Sequence, residues 1–388
     1  LHMGVYNTKA LEAGDIHPEN FAKGEVVTDE NGQMTGLLKE RACTYMWDKV
    51  MYTKEEYMRA FKTANDMFLR CGITSVHDAS FYGSDTIGLY QEACENGVID
   101  VRMYVLLYHA CGKEKTIEWV NDFIKTGIRG RLGNEHFRLG HVKILIDGST
   151  SGPSCAVSRP YEHDPALEGI QLYTQEEADA VLIPAHNAGF NITAHAVGDK
   201  AVDVILSSIE KAQKLNPRPC RHRIEHCAII DDEIIARLKK ANVTVVSNPG
   251  FFIDNAAMYI KYYGDRVNCM FPLKSYLDKG IITAIGSDTP VIEPDPMIGI
   301  YTAVKRADSD GTVAGACQQI GIMDAIRMYT YNGAYASLEE GIKGSIEPGK
   351  LADLVVLSDN ILEAQPEEIM NIKTDITMID GRIKYERI

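Results

Sequence analysis

Four side chains that could act together in hydrolytic chemistry lie at the ends of separate predicted strands. Lys143 interrupts one apolar run, His195 follows another, His226 closes the sequence Arg-Ile-Glu-His, and Asp288 follows Gly-Ser. Two imidazoles with a carboxylate and a lysine suit a divalent metal, zinc first, because nitrogen and oxygen ligands without thiolate are usual in catalytic zinc sites. Such an ion activates a water molecule for hydrolysis.

Each of these side chains also has a structural interpretation. Lys143 could form an ion pair with Asp147 or Glu225, because burying an unpaired ammonium costs several kcal/mol or shifts its pKa. The two histidines could be buried hydrogen-bonding residues, and the aspartate could cap a helix ahead of Thr-Pro. Four polar residues at the same end of one sheet favour the metal site over four independent structural roles.

A repeat of helix followed by strand positions these four residues. Apolar residues at helical spacing alternate with short runs that are typical of buried strands. The seven strands read in this way are 73–78, 101–108, 139–147, 191–195, 222–227, 243–247 and 281–287. The pattern predicts an α/β fold, a TIM-type (β/α)8 barrel whose first strand is missing, with its chemistry at the carboxyl ends of the strands.

The two ends of the chain differ from this repeat. Residues 1–55 are expected to form an irregular N-terminal insertion of helix fragments and loops, with a hairpin turn at 29–32. Residues 1–335 would form the barrel domain. Residues 336–388 contain short strands and an Asp-Gly hairpin signal, which predict the C-terminal part of a small β-sandwich domain.

Composition limits the classes of partner. The 388 residues include 40 Lys and Arg against 54 Asp and Glu, a net charge of −14 without a basic cluster, so nucleic acid is not expected as a partner. No apolar run approaches the about 18 residues that cross a bilayer, and no membrane partner is expected. The nine scattered cysteines favour reduced thiols in the cytoplasm. Export is not excluded, because the chain starts at Leu1 without an initiator methionine.

These motifs resemble the amidohydrolase superfamily, in the branch of the N-substituted formamide deformylases. The resemblance covers essentially the whole chain. It is carried by His195-Ala-Val-Gly-Asp, Arg223-Ile-Glu-His226, Gly286-Ser-Asp288-Thr-Pro, Val-Lys143-Ile ending at Asp147-Gly-Ser, and the tail Gly344-Ser-Ile-Glu-Pro-Gly-Lys-Leu-Ala-Asp353-Leu-Val-Val-Leu.

The resemblance implies roles for individual residues. Lys143, carbamylated by CO2, would bind one metal ion or bridge two. His195 and His226 would hold the more exposed ion together with it. Asp288 would ligate weakly and shuttle a proton. Tyr161, Arg306 and His2 are implied at the substrate pocket, where packing or a surface ion pair is the alternative for the first two.

The sequence departs from the family at one point. The family carries a His-x-His pair on its first barrel strand, and no such pair occurs among the eleven histidines. We therefore expect that the chain starts inside the family's domain and that upstream residues have been removed or are unobserved.

The function that these motifs predict is hydrolysis of an amide or other carbon–nitrogen bond of a small molecule, with N-formyl and N-acyl amines as candidates. A non-catalytic scaffold that lacks the His-x-His pair is one alternative. A metal-dependent isomerase or decarboxylase is another. The segment 248–263, interpreted as an aromatic loop, favours either an apolar substrate or core packing, and a homodimer is a further option.

Overall fold

Residues 3–47, 49, 52–79, 84–108 and 113–388 are described by a computed structural model of the chain. The N-terminal segment contains β1 (Met3–Val5), α1 (Thr8–Ala13), β2 (Val26–Thr28), β3 (Met34–Lys39) and α2 (Glu40–Trp47). A series in which helices and strands alternate follows, and it forms the largest sheet of the described part.

This alternating series confirms the seven helix-then-strand units. Its elements are α3 (Lys54–Arg70), β4 (Ser75–Asp78), α4 (Ser84–Glu95), β5 (Arg102–Leu107), α5 (Lys113–Lys125), β6 (Phe137–Leu145), α6 (Gln175–Asn187), β7 (Ile192–Ala196), α7 (Asp199–Leu215), β8 (Arg223–His226), α8 (Asp232–Lys240), β9 (Thr244–Ser247), α9 (Phe252–Tyr263), α10 (Leu273–Asp278) and β10 (Thr283–Ile285). The chain ends with α11 (Pro296–Lys305), α12 (Ile322–Tyr329), α13 (Tyr331–Ala336), β11 (Leu354–Leu357), β12 (Thr374–Ile379) and β13 (Arg382–Glu386).

The seven strands β4 to β10 form one curled parallel sheet in chain order. Every neighbouring pair is parallel, and the register places Lys143 opposite Thr193 and His195 opposite Glu225. The predicted α/β barrel class is confirmed, with seven strands in the sheet over the described residues. The carboxyl ends of all seven strands lie at one edge, where barrel enzymes place their chemistry.

The helices cover one face of this sheet and form the largest core cluster. Ile144 and Ala194 point into this layer and are fully buried, as are Ile205 and Leu206 of α7. Successive strand residues alternate between the two faces, so Lys143 and Thr193 lie on the opposite, inner face. The repeat of apolar residues therefore decides which side chains can reach the barrel interior.

The N-terminal segment forms a small sheet of its own. Strands β1, β3 and β2 pair antiparallel, and β2 and β3 form the predicted hairpin, in whose turn the Asp29 carboxylate accepts hydrogen bonds from the Asn31 and Gln33 amides. The three-stranded sheet itself was not predicted. The buried Glu40 carboxylate accepts a hydrogen bond of 3.1 Å from Ser154 Oγ, which ties this segment to the loop after β6.

The expectation of an aromatic loop at 248–263 is wrong. Residues 249–251 form a short 3-10 helix, and α9 follows directly. Phe252, Tyr259 and Tyr263 are fully buried in a second core cluster together with Tyr161. The aromatic residues are therefore helix core residues, because their helical spacing places them on a face that packs inward.

The C-terminal strands β11, β12 and β13 form an antiparallel sheet that packs on the barrel. Thr377 Oγ1 donates to the Leu69 carbonyl at 2.6 Å. Arg102, at the start of β5, makes a two-pronged ion pair with Asp353, with N···O distances of 2.6 and 2.9 Å, and also contacts Asp380. The domain boundary at 335/336 stays a prediction.

Among the described residues, no helix is long and apolar enough to cross a membrane. The eight described cysteines have free thiols. The cytoplasmic location and the homodimer stay predictions.

We expect Arg102→Ala to lower the free energy of unfolding by about 3–5 kcal/mol, because the change leaves a buried carboxylate without its partner. Arg102 is 1% exposed, and the side chain of Asp353 is 6% exposed. Urea denaturation followed by far-UV circular dichroism measures the shift. The control is Arg387→Ala, which removes an exposed ion pair with Asp375 in the same sheet and should cost less than about 1 kcal/mol. Equal shifts for the two variants would contradict the anchoring role of Arg102.

Candidate metal centre

Two of the four candidate ligands, His195 and His226, lie side by side at the carboxyl ends of neighbouring strands. Their ring centroids are 4.6 Å apart, with an angle of 72° between the ring planes. Each is 6% exposed. β7 delivers His195 and β8 delivers His226, so the pairing of these strands sets the distance between the two rings.

His195 has a defined tautomer. Its Nε2 lies 2.9 Å from the carbonyl oxygen of Gly148 and 3.4 Å from Asp147 Oδ1. Because a carbonyl only accepts, Nε2 carries a proton, and in the neutral ring the lone pair is then on Nδ1. Neutral imidazole with one nitrogen held by an oxygen is the usual form of a metal-binding histidine.

Asp147 holds the loop that follows β7. Its carboxyl accepts hydrogen bonds from the backbone N–H groups of Ala156, Val197 and Gly198 at 2.8–3.0 Å. Burial raises the pKa of Asp147 to about 8, while the three N–H groups act in the opposite direction. The carboxyl thus fixes the backbone on both sides of the His195 contact.

His226 has the complementary tautomer. Its Nδ1 lies 2.7 Å from Asn248 Oδ1, so the lone pair is on Nε2. Burial lowers the pKa of His226, with the Asp288 carboxylate acting against it. The backbone φ of His226 is +70°, and this left-handed conformation ends β8 and interrupts the alternation of side chains at the strand end.

Lys143 is buried on the inner face of β6, and its Nζ donates to the Ala79 carbonyl at 2.7 Å. Within the described part of the chain, no carboxylate oxygen lies within 4.0 Å of Lys143 Nζ, the distance limit for an ion pair. The alternative of an ion pair with Asp147 or Glu225 is therefore not formed there. Burial lowers the pKa of Lys143, and the charges of Glu225 and Asp288 act against this shift.

Glu225 is neutralised by Arg223 instead. Both of its oxygens accept from the guanidinium, at 2.6 and 2.9 Å, and Oε1 also accepts from Thr193 Oγ1 at 2.7 Å. Burial raises the pKa of Glu225, but the charge and hydrogen bonds of Arg223, together with Lys143 and Thr193, lower it to about 2. Glu225, one of the two acids considered as an ion-pair partner of Lys143, is thus already paired with Arg223.

Asp288 is half-buried and follows β10 by three residues. It has a left-handed φ of +58°, and its charge affects the pKa of both His226 and Lys143. Capping is not its role, because Asp295 caps α11 by accepting from the Met297 amide at 3.0 Å. The structure therefore brings all four candidates to one edge of the sheet.

The donor set fits a divalent ion. Two neutral imidazoles offer lone pairs, Asp288 offers a carboxylate, and Lys143 would contribute once its amine had become an anionic ligand. The ligand atoms of His195, His226 and Asp288 do not all lie within 4.8 Å of one another. Among the described residues, one other group of three meets that criterion. The fit therefore rests on the chemistry of the donors.

That tighter group, formed by His186, Cys220 and His222, lies at the opposite end of the sheet. A continuous hydrogen-bond chain already uses its nitrogens. The Ile192 amide donates to His222 Nδ1 at 3.0 Å, His222 Nε2 contacts His186 Nδ1 at 3.0 Å, and His186 Nε2 contacts the Asn216 carbonyl at 2.9 Å. A metal on His222 Nε2 would displace a proton that this chain requires, so the group is a poor metal site.

The three residues implied at the substrate pocket have different placements. Tyr161 is buried, and its hydroxyl donates to the Cys155 carbonyl at 2.7 Å. Arg306 is fully buried against the Phe252 ring and donates to the Met270 carbonyl at 2.7 Å, and burial lowers its pKa to about 9. His2 lies outside the described residues. Both described side chains make packing contacts, and their role toward substrate stays a prediction.

The sequence reasoning missed Asn248. This residue directly follows β9, at the same edge as the four candidates, and contacts His226. Its position after the run 243–247 was visible in the sequence. An asparagine at a strand end is neither titratable nor a usual metal ligand, so its residue type alone gave no signal.

The amino-acid sequence is similar to those of known proteins. A sequence model of the amidohydrolase family matches residues 1–385. The chain is 29% identical over 399 residues to the protein YtcJ of Bacillus subtilis (strain 168), covering 100% of this chain and 73% of that protein. It is 26% identical over 405 residues to N-substituted formamide deformylase of Arthrobacter pascens, covering 100% and 72%.

A solved structure has a similar fold. An uncharacterized metal-dependent hydrolase from Pyrococcus horikoshii OT3 superposes with a TM-score of 0.78 at 25% identity, covering 94% of this chain and 71% of that one. The sheet and the helices around it are thus shared with a protein described as metal-dependent.

We expect His195→Ala to weaken zinc binding by about 100-fold or more, because even residues that only orient a ligand contribute about 10–100-fold. Zinc affinity is measured by competition with a chromophoric chelator, per mole of folded protein. The matched control is His186→Ala, which removes a buried imidazole from the hydrogen-bond chain at the other end of the sheet and should leave affinity unchanged. Loss of zinc in the control alone would assign the metal to the other group.

Proposed function

The chain belongs to the amidohydrolase family, and we propose that it is a metal-dependent hydrolase of an amide or another carbon–nitrogen bond in a small molecule. One observation carries the proposal. The ring centroids of His195 and His226 are 4.6 Å apart. In each ring one nitrogen is hydrogen-bonded to an oxygen acceptor, and in the neutral ring the second nitrogen carries the lone pair. A deformylase of N-substituted formamides is among the similar proteins, so N-formyl and N-acyl amines are the first substrates to test.

Lys143, His195, His226 and Asp288 would hold one or two ions, with zinc as the metal that suits this donor set best. When bound, zinc would lower the pKa of a water ligand to about 7 and polarise the substrate carbonyl. Two imidazoles and one anionic lysine derivative make three ligands, which leaves a position open for water and substrate.

Lys143 would become that anionic ligand by reaction with CO2. The neutral Nζ attacks the carbon atom, a nitrogen–carbon bond forms, one proton leaves, and the product is a carbamate with one negative charge. Two observations support this proposal: Glu225 is already paired with Arg223, and burial lowers the pKa of Lys143, which favours the neutral amine that the reaction needs. A carbamate can bridge two ions, which an ammonium cannot do.

Asp288 would move the proton. Asp288 is half-buried, and its charge acts on the pKa of both His226 and Lys143, which supports a place beside these two candidates. It would accept a proton from the attacking water and deliver it to the leaving nitrogen, so that the amine departs in neutral form.

We expect zinc-loaded protein to hydrolyse members of a panel of N-formyl and N-acyl amines, and Asp288→Asn to lower kcat by about 10²–10⁴-fold, the usual contribution of a positioned acid–base group. Amine release measures turnover, and zinc content is measured on the same samples. The variant should retain at least one zinc ion, because His195 and His226 are unchanged.

Asp295→Asn is the matched control for this variant. Asp295 caps α11, and asparagine is an equally good capping residue, so activity should stay within about twofold. Full activity of Asp288→Asn would contradict the proton-transfer role. Less than one equivalent of metal together with no hydrolysis across the panel would favour the scaffold instead, and bound metal without hydrolysis would favour an isomerase or decarboxylase.

We expect metal-free protein reconstituted with zinc and 13C-labelled bicarbonate to show a carbamate carbon resonance that Lys143→Gln lacks. The matched control is Lys343→Gln: Lys343 is also buried, but its Nζ lies 2.8 Å from Glu339 Oε2, and this ion pair opposes the lowering of its pKa by burial. The Lys343 variant should retain the resonance. A resonance that persists in Lys143→Gln would contradict the assignment.

A further inference from the structure

Asn248 connects the strands that carry two of the candidate ligands. It follows β9, between β8 and β10, and is 3% exposed. Its Oδ1 lies 2.7 Å from His226 Nδ1, and its Nδ2 donates to the Gly286 carbonyl at 2.8 Å. Gly286 precedes Asp288 by two residues. One buried amide thus contacts the His226 ring and the backbone that leads to Asp288.

The partners of this amide fix its orientation, and with it the tautomer of His226. The Gly286 carbonyl can only accept a hydrogen bond, so the NH2 group of Asn248 must face it. The amide oxygen must then face the imidazole. Because that oxygen can only accept, His226 Nδ1 must carry the proton, and the lone pair is confined to Nε2.

We propose that Asn248 is a positioning residue of the metal centre: through Oδ1 it holds His226 in the Nδ1–H tautomer, so that Nε2 is presented to the ion. The inference rests on the proposed function. Asn248 ligates nothing itself and acts through His226. The contact with Gly286 makes the orientation of the amide independent of the metal, so the imidazole has the required tautomer before an ion binds.

Asn332 provides a matched comparison with a purely structural amide. It is 7% exposed, and its Nδ2 donates at 2.8 Å to the carbonyl of Thr283, the first residue of β10. It therefore makes the same type of backbone contact as Asn248, whose partner Gly286 directly follows β10. A role that depends only on burial and on this backbone bond would give equal effects for both residues.

The first test measures the tautomer in metal-free protein. Imidazole 15N chemical shifts are recorded on 15N-histidine-labelled protein, with His226 assigned from His226→Gln. We expect the Nδ1–H tautomer in the unsubstituted protein and in Asn332→Ala, and a mixture of tautomers in Asn248→Ala. An unchanged tautomer in Asn248→Ala, or a mixture of tautomers in Asn332→Ala equal to that in Asn248→Ala, overturns the proposal.

The second test measures zinc affinity by chelator competition. Asn248→Ala should weaken binding by about 10–100-fold, as is usual when a residue that orients a ligand is removed, while Asn332→Ala should bind zinc normally. Equal losses in the two variants overturn the proposal. If the unsubstituted protein binds less than one equivalent of zinc, the proposed function fails, whereas the tautomer measurement still decides whether Asn248 orients His226.

Discussion

Parallel pairing of seven strands in chain order is the constraint on which the rest of this structure depends. It fixes which residues lie opposite one another, Lys143 to Thr193 and His195 to Glu225, and it brings every strand's carboxyl end to the same edge. Side chains that are far apart in the sequence meet there without a dedicated loop to carry them. The N-terminal sheet, the C-terminal sheet and α9 all pack around this frame.

Charge inside the barrel follows from the same pairing. Arg223 and Glu225 stand two residues apart on one strand and neutralise each other on the inner face, with Thr193 from the next strand as a third partner. A buried ion pair of this kind is stable only when its remaining hydrogen-bonding groups are satisfied, as they are here. Glu225 is thus paired with Arg223, and its charge still acts on the pKa of Lys143, which is buried two strands away.

The sequence was sufficient to predict the seven strands, the parallel sheet and the placement of His195 and His226 near one another, because these features follow from local periodicity and from the geometry of parallel strands. It was not sufficient for Asn248, whose role exists only through its two partners on other strands. It assigned the aromatic segment after β9 to a loop, whereas the segment is helical; the alternative of core packing is confirmed by the buried cluster that these residues form with Tyr161. The buried surroundings of Arg306 depend on tertiary contacts that no local pattern contains.

The backbone has an unusual conformation at two of the four candidate ligands. His226 and Asp288 both adopt left-handed φ values, and Cys227 continues the conformation directly after His226. A residue with a side chain costs about 1 kcal/mol or more in that region, so an ordinary strand end would be more stable without it. Other described residues with side chains, among them Phe271 and Leu338, also have positive φ, so the fold accepts this cost at several chain reversals. At His226 and Asp288 the same conformation sets the direction in which each side chain leaves the backbone at the carboxyl edge of the sheet.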